Sequence, residues 1–167
     1  RRAWGRQPEW SGGAAVSRPS DGGYLYVNSN ASAPTLSTRF PVREIHAELR
    51  KGVKQEVPGM ILDLRGVQGG DASLVPKILT CLVSEETFFE TPSVWDGELE
   101  TYLAETENVV TIVPEAPVYT GPLVVLVDSY TMGPAESLAG FLQGRENAKV
   151  FGESATAGAP GCPAVEV

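Results

Sequence analysis

The sequence predicts an α/β domain built on a largely parallel β-sheet, on three observations. Strand-like and helix-like segments alternate along the chain, the pattern of consecutive βα units. Two short apolar runs, Gly59-Met60-Ile61-Leu62-Asp63-Leu64 and Leu123-Val124-Val125-Leu126-Val127, lack apolar/polar alternation and read as strands covered on both faces. Each run leads into a Gly-containing turn and then an apolar stripe of helical period. In such sheets, sites form at the loops leaving the C-terminal ends of the strands.

Residues 1–23 are rich in Arg, Gly, Ser and Pro, with Trp4 and Trp10 among them, and read as irregular or extended. Residues 1–21 are a lead-in and 22–167 the core. Tyr24-Leu25-Tyr26-Val27 reads as a strand between Gly22-Gly23 and Asn28-Ser29-Asn30. A helix is expected over 41–51. Pro41 suits its first turn, Val42, Ile45 and Leu49 share one face, and Gly52 suits its C-terminal cap. After the strand at 59–64, Arg65 to Gly70 forms a turn with Asp71 as N-cap. Leu74, Ile78 and Leu82, widened by Val75 and Leu79, then predict a helix over 72–83. Residues 84–108 are acidic, carry Phe88, Phe89 and Trp95, and read as a surface excursion with local structure. Val109 to Val113 is a short strand, and 123–127 is the clearest buried strand. A helix starts at Pro134, with Ala135, Leu138, Ala139 and Leu142 on one face, and Val150-Phe151 lies in a strand that ends at Gly152. There are no internal repeats.

At 167 residues the chain has room for one domain with a substantial core. Hydrophobic residues at 42% and charged residues at 20% place it among globular rather than disordered sequences. Its 13 Lys and Arg against 21 Asp and Glu give a formal charge of −8, which argues against nucleic acid and anionic membrane as partners. No run approaches the ~18 apolar residues of a spanning helix, so no membrane insertion is expected. Arg1 to Trp10 contains no apolar signal-peptide core. Cys81 and Cys162 have no CxxC or Cys/His spacing, and His46 is the only histidine. A zinc ribbon, a dense disulfide framework and a multi-histidine metal site are thereby excluded, and no cofactor is expected.

The two loops after the buried strands, Arg65 to Asp71 and Asp128 to Pro134, carry the informative motifs. The segment from Gly59 through Asp63-Leu64-Arg65-Gly66-Val67-Gln68-Gly69-Gly70 resembles the "ILDLRGNPGG" signature of the S41 serine peptidases, the tail-specific or C-terminal processing proteases. The segment from Pro122 through Asp128-Ser129-Tyr130-Thr131-Met132-Gly133-Pro134-Ala135-Glu136 is similar, without a gap, to the family's "PVVVLVNGGTASASE". Ala148 to Glu153 looks like its "ATVIGE", Thr156-Ala157-Gly158 like its "TFG", and Gly23 to Val27 like its "GYIRI" strand. The resemblance runs from about residue 22 to the end. It implies stacked ββα units of the ClpP/crotonase type and endopeptidase chemistry by a Ser–Lys dyad. The lysine serves as base only when burial depresses its pKa. Backbone N–H groups near the nucleophile and in the glycine-rich loop would form the oxyanion hole, which here points to Gly69, Gly70 and Pro134.

Carried over position by position, the family's serine falls on Gly133 and its lysine on Ala159. Both halves of the dyad are therefore missing. Ser129, Thr131 and Ser137 are the nearest hydroxyls. Ser129 and Thr131 read as turn and cap residues, and Ser137 as an ordinary helix serine one turn on. Lys149 and His46 read as surface residues. Three explanations compete: a natural S41-like domain without peptidase activity, an engineered or fragmentary form of an active enzyme, or a local slip with a displaced serine acting. The first requires the fewest assumptions, because two independent positions are lost.

The function expected is thus an S41-like domain that acts on or binds extended peptide segments or protein C-termini, by pairing them with a strand edge near the Gly-rich loop. The alternative is a non-catalytic binding or scaffold domain on the same fold. Crotonase-like acyl chemistry ranks last, since nothing marks a CoA site. The partner expected is a peptide or unfolded protein segment. Oligomerisation stays open, and family analogy alone suggests a periplasmic, secreted or luminal setting. Family members continue with further strands, so the resemblance implies either a minimal form or a core that continues past Val167.

Overall fold

The computed structural model describes residues 15–17, 25–28, 42–54 and 56–158. Its centre is a five-stranded sheet in the order β1-β2-β3-β8-β9, from β1 (Ala15–Ser17), β2 (Leu25–Asn28), β3 (Met60–Asp63), β8 (Leu123–Val127) and β9 (Ala148–Gly152). The pairs β2–β3, β3–β8 and β8–β9 are parallel, and β1 alone adds antiparallel to β2. The expected parallel sheet is present, with one antiparallel strand at its edge drawn from the segment read as an irregular or extended lead-in.

Parallel neighbours need crossovers, and α1 (Val42–Lys54) and α3 (Pro134–Gln143) supply those after β2 and β8. The crossover from β3 to β8 is longer. It holds α2 (Leu74–Leu79), β4 (Thr87–Glu90), β5 (Ser93–Asp96), β6 (Thr101–Ala104) and β7 (Val110–Ile112). Helix α1 packs on α2 and α2 on α3, giving a contiguous helical layer against the sheet. Leu123, Val125 and Val127 on alternate positions of β8 are buried, as are Met60 and Leu62, their neighbours in register on β3. They meet Val75, Ile78 and Leu79 of α2 and Ala135, Leu138 and Leu142 of α3 in one core. Leu49 of α1 is fully buried in it too.

Several boundaries differ from the sequence reading, each for a physical reason. Helix α1 runs past Gly52 to Lys54, so Gly52 lies inside it rather than capping it. Helix α2 is half the expected length. The carbonyls of Thr80 and Cys81 accept bonds from Glu115 N and Tyr119 N, at 2.8 Å each, and a tertiary partner replaces the next helical turn. Asp71 is not the N-cap: its Oδ1 accepts from Ser73 N at 2.9 Å, forming a turn ahead of the helix, and Ser73 precedes Leu74. The Ser73 hydroxyl, and then that backbone bond, hold the Asp71 carboxyl below its ordinary pKa. The excursion is two small antiparallel sheets, β4–β7 and β5–β6. The expected strand at 109–113 belongs to the first of these and not to the main sheet. Phe89 of β4 stacks on Phe141 of α3 at 5.6 Å between ring centroids, anchoring it to the core.

His46 departs from its reading as a surface residue. It is half-buried between α1 and the end of α2, with Nε2 3.1 Å from Thr80 Oγ1. The Thr80 hydroxyl donates to Lys77 O, so His46 Nε2 carries the proton of their shared bond. Burial, and then the Arg50 guanidinium, lower its pKa. Arg50 in turn donates to Ala116 O and pairs with Glu115 at 3.5 Å, pinning the 115–119 loop. Among the described residues no helix is long and apolar enough to cross a membrane.

Candidate functional site

The loops that leave β3 and β8 lie side by side. The parallel pairing of the strands carries on into them: Leu64 N donates to Leu126 O, and Gln68 and Met132 form a further parallel bridge. Met132 N donates to Val67 O at 3.1 Å, and Gly69 N to Met132 O at 3.3 Å. The approach is so close that a Cβ on Gly133 would stand 3.1 Å from Gly69 Cα.

Two carboxylates hold this junction. Asp63, at the end of β3, is 2% exposed and accepts Arg65 Nε and Nη2 at 2.9 and 2.7 Å and Arg65 N at 3.1 Å. This bidentate pair sets the course of the chain into the glycine-rich loop. Asp128, at the end of β8, reaches across: its Oδ1 accepts from Gly66 N at 3.0 Å and from Tyr130 N of its own loop at 3.0 Å. Thr131, fully buried, completes the tie. Its hydroxyl accepts from Asp128 N at 3.0 Å and offers its proton to Leu64 O at 3.1 Å or Asp128 Oδ1 at 3.2 Å. Thr131 is therefore a structural hydroxyl.

Gly133 closes the second loop as the residue before α3. It is buried, with φ 61° and ψ −132°, a backbone that side-chain-bearing residues adopt only under strain. Gly66, Gly69 and Gly70, at φ 74°, 78° and 131°, give the facing loop its own left-handed turns. Pro134 is the first residue of α3, has no N–H, and so contributes shape rather than a donor. Gly69 N is taken up by Met132 O. Ser137 lies one turn into α3, half-buried, its Oγ 3.5 Å from Gly133 O. Ser129 is exposed in the loop, and Lys149 is exposed on β9.

A third segment joins the two loops. Glu136, in the first turn of α3, accepts Gly158 N at 2.9 Å and the Thr156 hydroxyl on Oε1, while Ala157 N donates to Thr131 O at 3.1 Å. The sequence marks both partners, Glu136 at the end of the second motif and Thr156-Ala157-Gly158 as the "TFG"-like element, but not that one docks on the other. Ala159, the next residue, lies outside the described residues. Open clefts flank the junction. One of about 520 Å³ is lined by Arg65, Asp128, Tyr130 and Phe151. One of about 420 Å³ runs along α3 past Glu136, Ser137 and Phe141 to Phe89 and Thr156. Among the described residues, no three His, Cys, Asp or Glu side chains gather as a metal site.

The sequence profile of Peptidase family S41 matches residues 21–165. The chain belongs to that family. The profile spans all three segments that the fold gathers at the junction. No curated protein matches the sequence significantly. Solved structures show the same fold. A candidate peptidase from Parabacteroides merdae ATCC 43184 superposes with TM-score 0.71 at 18% identity, covering 93% of this chain and 47% of its own. The photosystem II D1 C-terminal processing protease gives 0.62 at 22%, over 81% of this chain and 31% of its own. Mature CPAF complexed with lactacystin gives 0.61 at 14%, over 81% and 38%. The chain thus spans less than half the length of these S41-fold structures.

Proposed function

We propose that this S41 domain holds an extended polypeptide segment and does not cleave it by the Ser–Lys route. The observation that supports the reading best is Gly133. It stands where the family's motif carries the nucleophile, at the start of α3 and against the glycine-rich loop, with no side chain to attack a carbonyl. Its backbone is one that glycine tolerates and serine does not adopt without strain. The carry-over of the lysine to Ala159 points the same way, since alanine has no amine to take a proton. What remains is a junction of backbone loops between two open clefts, which suits a chain laid across it.

Labelling with a fluorophosphonate probe, followed by peptide mapping, tests this. The expected result is no stoichiometric adduct, together with no cleavage of unstructured peptides. An adduct at Ser129, Thr131 or Ser137 would show a displaced nucleophile and overturn the reading. Restoration gives a second arm. Gly133→Ser with Ala159→Lys puts both groups back and is expected to recover some cleavage, whereas Gly133→Ser alone recovers little, because an unassisted hydroxyl stays protonated. A folded double variant that cleaves nothing would indicate a groove that has diverged further into pure binding.

A further inference from the structure

The β5–β6 hairpin is built unlike the rest of the fold. Its strands pack on each other and on no other strand or helix to a comparable extent. Side chains alternate between the faces of a strand, and here both faces are apolar and open. Trp95 pairs with Tyr102, and Val94 with Leu103, directly across the ladder. Trp95 is 52% exposed, Tyr102 and Val94 are 53%, Leu103 is 45%, and Leu99 at the turn is 64%. The Trp95 and Tyr102 rings stand edge to face, 5.1 Å between centroids. An isolated two-stranded sheet is marginal in water, and contiguous exposed apolar surface of this kind marks an interaction site. Both outer edges of the two-stranded sheet are open to a further strand among the described residues.

The charge around the hairpin narrows the partner. From Ile78 to Gly144 the sequence contains no Lys, Arg or His. Glu90, Glu98, Glu100 and Glu107 are exposed at the base and turn of the hairpin, beside half-buried Asp96 and Glu105. Carboxylates in that position repel a second copy of the same hairpin, on a chain of formal charge −8. They repel nucleic acid and anionic membrane equally. The complement is an apolar strand that carries cations.

We propose that the β5–β6 hairpin is a docking arm for a cationic, apolar polypeptide segment, which adds to it as a third strand. Main-chain hydrogen bonds to the open edge provide affinity. Apolar side chains cover Trp95 and Tyr102, and Lys or Arg side chains meet the surrounding carboxylates. This surface is separate from the loop junction at Gly69 and Gly133, and the inference does not depend on whether that junction cleaves.

The probe is an acetylated, amidated octapeptide of alternating Lys and Val, titrated into the full chain, with the Glu-and-Val octapeptide as control. The Lys peptide is expected to bind at least about tenfold more tightly than the control, and less tightly as salt rises. Hydrogen exchange is expected to slow within residues 93–104 when it binds. Trp95→Ser with Tyr102→Ser, and separately Glu98→Lys with Glu100→Lys, should each weaken binding about tenfold. The charge pair lies at the solvent-exposed turn, so it keeps the test valid where the aromatic pair unfolds the hairpin. Equal binding of the two peptides, or binding of neither, would overturn the proposal. Protection at 65–71 and 128–134 instead of 93–104 would also overturn it, and would leave the reading of the loop junction standing. Concentration-dependent dimerisation abolished by Trp95→Ser would assign the hairpin to a second copy, against the proposal.

Discussion

Gly133 brings three constraints onto one residue. Its φ of 61° disfavours any Cβ. The Cβ direction is occupied, since Gly69 Cα would be 3.1 Å away. And Glu136 N and Ser137 N both bond to its carbonyl, at 2.9 and 3.1 Å, so the peptide cannot rotate away without opening the first turn of α3. Gly133→Ala is expected to destabilise the fold by about 1–3 kcal/mol, the usual cost of a strained backbone residue, read from the urea midpoint. Gly97→Ala makes a good reference, since a Cβ there meets nothing within 4 Å. Equal effects at the two positions would show that the backbone around Gly133 is more yielding than its geometry suggests. Cys81 shows the opposite use of burial. Its thiol, buried and bonded to Ile78 O at 3.4 Å, is pushed up to about 12. That makes it a packing residue rather than a nucleophile.

Among the elements, the loops after β3 and β8 behave as one unit because Asp128 and Thr131 bind across them. Asp128→Ala leaves Gly66 N and Tyr130 N without their common acceptor. Gly66 N is half-buried and Tyr130 N faces solvent, so water replaces part of what is lost and about 0.5–1.5 kcal/mol is expected. Asp128→Asn keeps an acceptor oxygen and should cost clearly less. Chemical denaturation of both variants tests the pair; equal losses would mean that charge, and not the bonds, holds the loops together. The α1–α2 contact adds a pH dependence. His46 has its pKa lowered below 6.5 by burial and by Arg50, so below pH 6.5 the unfolded chain binds the proton more readily than the folded one. Stability is therefore expected to fall as pH drops from 6.5 through the lowered folded value, and to be unaffected by His46 above that window. His46→Gln should flatten this part of the profile, measured as unfolding free energy against pH. A variant that keeps the full slope would assign it to carboxylates.

At the scale of the whole molecule, one face of a parallel sheet and a helical layer enclose the core, and an acidic excursion hangs from the longest crossover. The formal charge of −8 and the cation-free stretch from Ile78 to Gly144 give the surface a single dominant sign there. The chain is expected to pass unretained over heparin at low salt, since polyanions need clustered cations. Retention that is lost as salt rises would show that locally clustered cations outweigh the overall charge. The same charge favours association with cationic polypeptides, the partner class assigned to the hairpin.

The sequence by itself determined the parallel sheet, the two buried strands, the helix at Pro134 and the glycine loops that follow the strands. Each is written in local terms: continuous apolar runs, helical periodicity, and glycines placed just after a strand. Motif order in the sequence is also what points to Gly133 and Ala159 as the counterparts of the family's serine and lysine, the assignment on which the proposed function rests. Only the tertiary structure decided where α2 stops, because Glu115 and Tyr119 lie far along the chain from the carbonyls they take. It alone moved His46 from the surface to a half-buried contact with Thr80, and it alone brought Thr156 and Gly158 onto Glu136. The excursion resolved into two small sheets for the same reason. Strands β4, β5 and β6 have no continuous apolar run to outweigh their polar neighbours, and the pairing of β4 with β7 is fixed by contacts distant in sequence. The conformation at Gly133 belongs to this second group as well: a glycine in a sequence is compatible with any backbone, and only the meeting of two loops makes a side chain costly at this one.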